Sequence, residues 1–131
     1  MALRRAARRI SDMYDETLSP TGLRATQFAA LATLSTSDGM SVNELSAKLG
    51  LDRTTTGKNL RPLERDGLIA VGVSESDRRS RAIGLTGAGR RKLSAALPLW
   101  TQAQAHFEAR NGRRKTRNLR LWLGELRIDS K

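Results

Sequence analysis

Residues 41–86 read SVNELSAKLGLDRTTTGKNLRPLERDGLIAVGVSESDRRSRAIGLT, and this stretch decides the fold. Ser41 followed three residues later by Glu44 is the pattern of a capping box, in which each side chain satisfies the other residue's free N–H. Leu45 and Leu49 then make a short apolar face, and Gly50 ends the helix. Asp52 is placed to cap a second helix that opens Arg53, Thr54, Thr55, Thr56. A capped helix, a tight glycine-containing turn and a second polar, basic helix form the helix-turn-helix plan, whose second helix enters the DNA major groove.

Downstream, Leu68 to Val73 (LIAVGV) and Arg81 to Leu85 (RAIGL) are rich in the branched apolar residues that suit strands. The polar run Ser74–Ser80 between them holds the adjacent pair Arg78 and Arg79. A two-stranded hairpin after a helix-turn-helix is a wing, and arginines at its tip suit the negative potential of a narrow minor groove. An ordinary solvated hairpin is the competing reading.

Upstream, Leu3, Ala7, Ile10, Tyr14 and Leu18 recur at helical spacing and predict a first helix ending before Ser19-Pro20. Thr26 is placed to cap a second helix with Phe28, Leu31 and Leu34 on one side, closed by the turn Ser37-Asp38-Gly39. Beyond the wing, Thr86 suits the cap of a long helix in which Leu93, Leu97, Trp100, Gln104 and Phe107 follow heptad-like steps. Pro98 should bend that helix and Asn111-Gly112 should stop it. A last amphipathic segment carries Leu119, Trp122, Leu123 and Leu126 on one stripe.

The expected architecture is mainly α with a small β-hairpin wing: a winged helix-turn-helix flanked by N- and C-terminal dimerisation helices. The whole chain, 1–131, is expected to be one domain, with 24–86 as the DNA-binding part. Residues 1–18 and 87–128 supply the dimerisation helices. Apolar stripes at both ends of so short a chain have little core to cover, so they are expected to pack against each other and a second copy. The candidate seam is Leu3, Ile10, Leu93, Leu97, Trp100, Phe107, Leu119, Trp122, Leu123 and Leu126. A monomer with folded-back terminal helices is the alternative.

The formal net charge of +11 favours an anionic partner, with nucleic acid first. The excess is uneven: residues 1–23 carry +1, residues 24–86 carry +2 and residues 87–131 carry +8. Local clustering therefore says more than the total. Arg53, Lys58 and Arg61 occur with no acid between them, and so do Arg78, Arg79 and Arg81. With no cysteine the chain has no disulfide, thiolate metal site or cysteine redox switch. No apolar run approaches the roughly 18 residues of a membrane span, and a cytoplasmic location without membrane contact is expected.

If a helix starts at Arg53 with Leu60 and Leu63 turned inward, steps of about 100° put Arg53, Thr54, Gly57, Lys58 and Arg61 outward. Thr55 and Asn59 then flank that face, and Thr56 lies among the threonines suited to phosphates or a thymine methyl. Asn59 suits adenine if it reaches a base edge, while Arg53 and Lys58 suit guanine or phosphate. Pro62 should bend this helix after Arg61, and Gly57 lowers its helix propensity by up to about 1 kcal/mol relative to alanine. A plain solvated polar face is the other possibility.

The run DRTTTGKNLRPLERDGLI, then DRRSR, then LTGAGR, resembles the MarR family of winged-helix transcription regulators, as does GLRATQFAALATL upstream. The resemblance extends from about Leu3 to about Phe107 and weakens beyond. It implies a homodimer on double-stranded DNA, binding a short inverted repeat near a promoter. Direct repression is the more usual arrangement, often relieved by a small-molecule effector, here of unknown identity. Asp77, Arg79, Leu85 and Thr86 match the family's wing pattern, in which the arginine enters the minor groove and the aspartate helps position wing arginines. Ala82 departs from it, standing where relatives often carry another arginine, so wing contact is expected either to weaken or to be borne by Arg78 and Arg81. The resemblance offers Tyr14, Phe28 and Trp100 as lining for a ligand space between dimer and reading helices, though aromatics at such spacing are more often plain core.

An enzyme is the first competing class. His106 is the only histidine, Glu108 two residues on lies off its face, and no nucleophile–base pair or metal-ligand cluster has recognisable spacing. The run GLDRTTTGKN has six residues between its glycines and Asn after the lysine, unlike a phosphate loop, which has four and then Ser or Thr. No cofactor and no metal are expected. The second competing class is a non-specific nucleic-acid or structural binder driven by Arg110, Arg113, Arg114, Lys115, Arg117 and Arg120.

Overall fold

A computed structural model of the chain describes residues 1–73 and 81–127. In chain order it has α1 (Ala2–Leu18), a 3-10 turn (Ser19–Thr21), α2 (Ala25–Leu34), α3 (Val42–Leu49) and α4 (Arg53–Arg65). The strands β1 (Ile69–Val73) and β2 (Arg81–Leu85) follow, then α5 (Gly87–Asn111) and α6 (Arg113–Glu125). The expected mainly helical winged architecture is present.

Local chemistry sets most of these boundaries. Ser41 Oγ accepts the Glu44 N–H at 3.1 Å, and Glu44 Oε1 accepts the Ser41 N–H at 3.4 Å, the predicted capping box of α3. Gly50 ends α3 at φ 68°, the left-handed conformation that only glycine adopts without strain. Asp52 Oδ1 accepts the Thr55 N–H at 2.7 Å and so starts α4 two residues after that turn. Thr86 Oγ1 accepts the Gly89 N–H at 3.0 Å and donates to Gly67 O at 2.6 Å, fixing the start of α5 to the turn between α4 and β1.

The cap of α2 differs from the expectation. Thr26 does not cap this helix; Arg24 holds the cap position, and its N–H donates to Gln27 Oε1 at 3.0 Å. The next N–H, of Ala25, donates to Asp15 Oδ1 of α1 at 2.7 Å. A carboxylate ten residues earlier therefore serves the orphan donor, and Thr26 sits one turn position inside the helix. The two prolines also stay inside continuous helical elements, Pro62 in α4 and Pro98 in α5, each at the loss of one backbone bond.

The hairpin pairs antiparallel, with Ile69 opposite Leu85 and Val71 opposite Ile83. Met40 adds a rung that the sequence did not announce: its N–H donates to Ile83 O at 3.1 Å and its carbonyl accepts the Ile83 N–H at 2.7 Å. The hairpin is thereby pinned to the segment preceding α3. Leu18, Leu31, Leu34, Leu45, Leu63 and Ile83 are essentially fully buried and meet in one core. Burying each such side chain is worth about 1.5–3 kcal/mol relative to leaving it in water. Ala96 carries α5 onto this core, so the long helix and the helix-turn-helix share an interior.

α6 folds back along α5. Thr116 is its buried residue, with Oγ1 donating to Gly112 O at 2.8 Å, and Arg120 reaches Glu108 of α5 at 3.9 Å. Most of the α6 apolar stripe stays uncovered in the single chain: Trp122 is 55% exposed and Leu123 44%. Among the described residues no helix is long and apolar enough to cross a membrane.

Candidate nucleic-acid interface

α4 owes its position to a buried polar clamp. Ser46 of α3 donates its hydroxyl to Thr56 Oγ1 at 2.8 Å, and Thr56 donates to Asp52 O at 2.9 Å. Both residues are buried, Thr56 completely. In a dry interior such a bond has no water to compete with it, so it sets the crossing of the two helices. Thr56 is therefore corrected from a DNA-contacting candidate to an interior residue. Helical periodicity already placed it off the outward face, and the run of three threonines disguised it.

The clamp makes a prediction. Thr56→Val keeps the volume but leaves the Ser46 hydroxyl buried without an acceptor, at an expected cost of about 1–3 kcal/mol in unfolding free energy. The exposed neighbour substitution Thr54→Val should stay within about 0.5 kcal/mol. Chemical denaturation of the two variants beside the parent checks this, and equal midpoints would reject the clamp.

The rest of the helix divides cleanly. Arg53, Thr54, Lys58 and Arg61 are exposed, whereas Thr55, Gly57 and Asn59 are half-buried. Thr55 is engaged at the cap, its hydroxyl donating to Asp52 Oδ2 at 2.9 Å. These bonds from Thr55 hold the Asp52 carboxyl pKa below its ordinary value. Asn59 Oδ1 accepts the Thr26 hydroxyl at 3.1 Å, which joins the start of α2 to the flank of the reading face. What α4 offers a ligand is thus a row of three cations, Arg53, Lys58 and Arg61, with Thr54 beside them.

Strands β1 and β2 follow this helix, and β1 packs against it. Asp77, Arg78 and Arg79 lie outside the described residues, and Arg81 enters as the first residue of β2, paired in register with Val73. Among the described residues no group of three or more His, Cys, Asp or Glu side chains is arranged to hold a metal ion.

The candidate seam residues fall into two sets. Leu3, Leu97, Leu119, Trp122, Leu123 and Leu126 are exposed in the single chain, as is Leu121, which the stripe omitted. Ile10 and Phe107 are half-buried. Leu93 and Trp100 are half-buried and pack against the core of their own chain. Trp100 stacks on Phe28 with ring centroids 4.4 Å apart and meets Tyr14 at 4.2 Å. These three aromatics pack on one another, as the plain-core alternative for their spacing has it. Burial lifts the Tyr14 phenol above its ordinary pKa, opposed by the nearby Arg120 charge and assisted by that of Glu108. A groove of about 770 Å³ lies elsewhere, between the 3-10 turn, the end of α4 and the start of α5, with Leu23, Arg24, Pro62, Arg65, Arg91 and Lys92 on its walls.

The MarR family model matches residues 23–80. The chain is 39% identical to the M. tuberculosis transcriptional regulator MosR, whose structure was solved in complex with DNA. That likeness covers 97% of this chain and 96% of that one, with a TM-score of 0.76. The transcriptional repressor CouR bound to a 23-mer DNA duplex is 31% identical over 95% of this chain and 88% of its own, with a TM-score of 0.85. The transcriptional activatory protein BadR of Rhodopseudomonas palustris is 40% identical over 72 residues, a match spanning 53% of this chain and 41% of BadR.

Proposed function

This chain belongs to the MarR family, and from that premise we propose that it is a sequence-specific DNA-binding transcriptional regulator, acting as a dimeric repressor on an inverted repeat. The observation that carries the reading is the exposed cationic row of Arg53, Lys58 and Arg61 on a helix clamped from behind by Ser46 and Thr56. A rigid helix with its cations outward meets phosphates and base edges in the major groove without having to reorganise. Residues 53–66 enter the major groove. Arg78, Arg79 and Arg81, with Asp77 positioning them, serve the minor groove.

Repression is favoured over activation because the likeness to the repressor CouR runs along nearly the whole chain, whereas that to BadR covers less than half of BadR. The exposed apolar residues of α1, α5 and α6 supply the homodimer surface, and no catalytic step is part of this role. A small-molecule effector belongs to the same proposal. It is seated in the groove walled by Leu23, Pro62 and Arg91, where it presses on the reading helix directly.

The test is fluorescence anisotropy with DNA from upstream of the chain's own gene, beside a scrambled duplex, across a salt series. A preference of about a thousandfold at moderate salt is expected. Equal affinities that collapse together with salt would replace this reading with general phosphate binding through the basic C-terminal segment.

A further inference from the structure

α6 carries a second concentration of positive charge that the reading helix does not use. α5 starts against the end of α4 through the Thr86–Gly67 hydrogen bond and runs 25 residues, about 37 Å at 1.5 Å per residue. α6 begins at its far end, so the arginines there stand well away from any duplex held by Arg53 and Lys58. Arg113, Arg114 and Arg117, with Asn118, line a shallow concavity of about 510 Å³. All are exposed, no acid occupies the first turn of α6, and none of the three arginines has an ion-pair partner among the described residues.

The two sides of α6 are distinct. Taking buried Thr116 as the direction of α5, successive steps of about 100° put Leu119, Trp122, Leu123 and Leu126 on one side. Arg113, Arg114 and Arg117 fall on the other, with exposed Leu121 beside them and Lys115 on the apolar side. Covering the apolar side with a second copy therefore leaves the arginines in solvent, and in a dimer there are two such faces. Leu119 lines a crevice with Phe107 of α5, while Trp122 and Leu123 stay exposed in the single chain and await a second copy. Guanidinium groups on one face, without an ion-pair partner among the described residues and lining one concavity, match the bidentate geometry of phosphodiester oxygens.

We propose that the Arg113–Arg114–Arg117 face is a second, sequence-independent binding site for the phosphate backbone of duplex nucleic acid, able to hold one duplex while the reading helices hold another. This does not depend on operator reading, and the experiment separates the two. Operator duplex is immobilised, loaded with the full-length protein and washed, and capture of an unrelated fluorescent duplex is measured across salt. Wild-type protein is expected to capture it. The triple variant Arg113→Gln/Arg114→Gln/Arg117→Gln should bind the operator as before but capture the second duplex at least tenfold less. Its salt slope for the second duplex should be smaller by roughly 2–3, for three lost phosphate contacts. Arg→Lys at the same positions should restore most of the capture, since charge is retained.

Undiminished capture by the glutamine variant would overturn the proposal. So would arginine-dependent binding to vesicles of phosphatidylglycerol and phosphatidylcholine without capture of duplex. If operator reading itself fails, the unrelated duplex is titrated directly on a protein carrying Arg53→Ala and Lys58→Ala. Loss of that binding on adding the three glutamines supports the second site, and no loss overturns it.

Discussion

Gly89→Ala is expected to lower the unfolding free energy by about 3 kcal/mol, a loss of roughly 10 °C in melting temperature for a chain of this size. A β-carbon at Gly89 would overlap Leu68 O and stand 3.0 Å from Leu68 C and 3.3 Å from Leu85 Cδ2. The first two are backbone, so no side chain can swing aside to make room. Nor can Leu68 retreat alone: its carbonyl accepts the Thr86 N–H at 3.1 Å, and its N–H donates to Leu63 O at 2.9 Å. The start of α5, the hairpin and the end of α4 would have to part together. Gly87→Ala is the control. There the nearest atom is Arg91 Nη1 at 3.4 Å, the tip of a flexible side chain, and alanine improves helix propensity by up to about 1 kcal/mol. Thermal melts of the two variants should move apart, and an unchanged melt for Gly89→Ala would remove the close-approach argument.

What could be read from the residues was mostly chemistry confined to a few neighbours along the chain. Ser41 with Glu44, Asp52 with the N–H three residues on, Gly50 at its helix end and Thr86 before α5 all act within a single turn, and all appear where their spacing placed them. The strands followed from their branched apolar content, with the first beginning at Ile69 and not Leu68. Such signals fix element type and order, which for a winged helix-turn-helix is most of the topology.

What could not be read depends on residues far apart in sequence. Asp15 caps α2 from α1, Met40 bonds to Ile83, and Leu68 approaches Gly89; nothing local marks any of these partners. Thr56 shows how a composition signal misleads. Three successive threonines on a basic helix look like one polar surface, but period 3.6 sends Thr56 toward Ser46 while Thr54 faces water. The heptad-like spacing that suggests a dimer seam for Trp100 records only which side of α5 is apolar. It does not announce that one edge of that side meets Phe28 and Tyr14 of the same chain, as Trp100 does.

With the interior threonine removed from the reading face, the double variant Arg53→Ala/Lys58→Ala becomes the sharpest test of DNA recognition. Its operator affinity is expected to fall at least about 100-fold, since each contact of this kind contributes about 1–3 kcal/mol and tenfold corresponds to 1.4 kcal/mol. Stability should hold or rise slightly. Both side chains are exposed, neither has an ion-pair partner among the described residues, and Arg53 stands in the first turn of α4, where the helix dipole disfavours a cation. An intact melt with lost binding therefore separates recognition from folding, which Thr56→Val cannot do. The form of the loss carries further information. If operator and scrambled duplexes weaken in parallel and the salt slope drops by about 2, the two side chains hold phosphate. If the operator alone weakens, they read bases, and the preference between the duplexes contracts toward unity. An affinity within about threefold of the parent on the operator would remove α4 from the major groove.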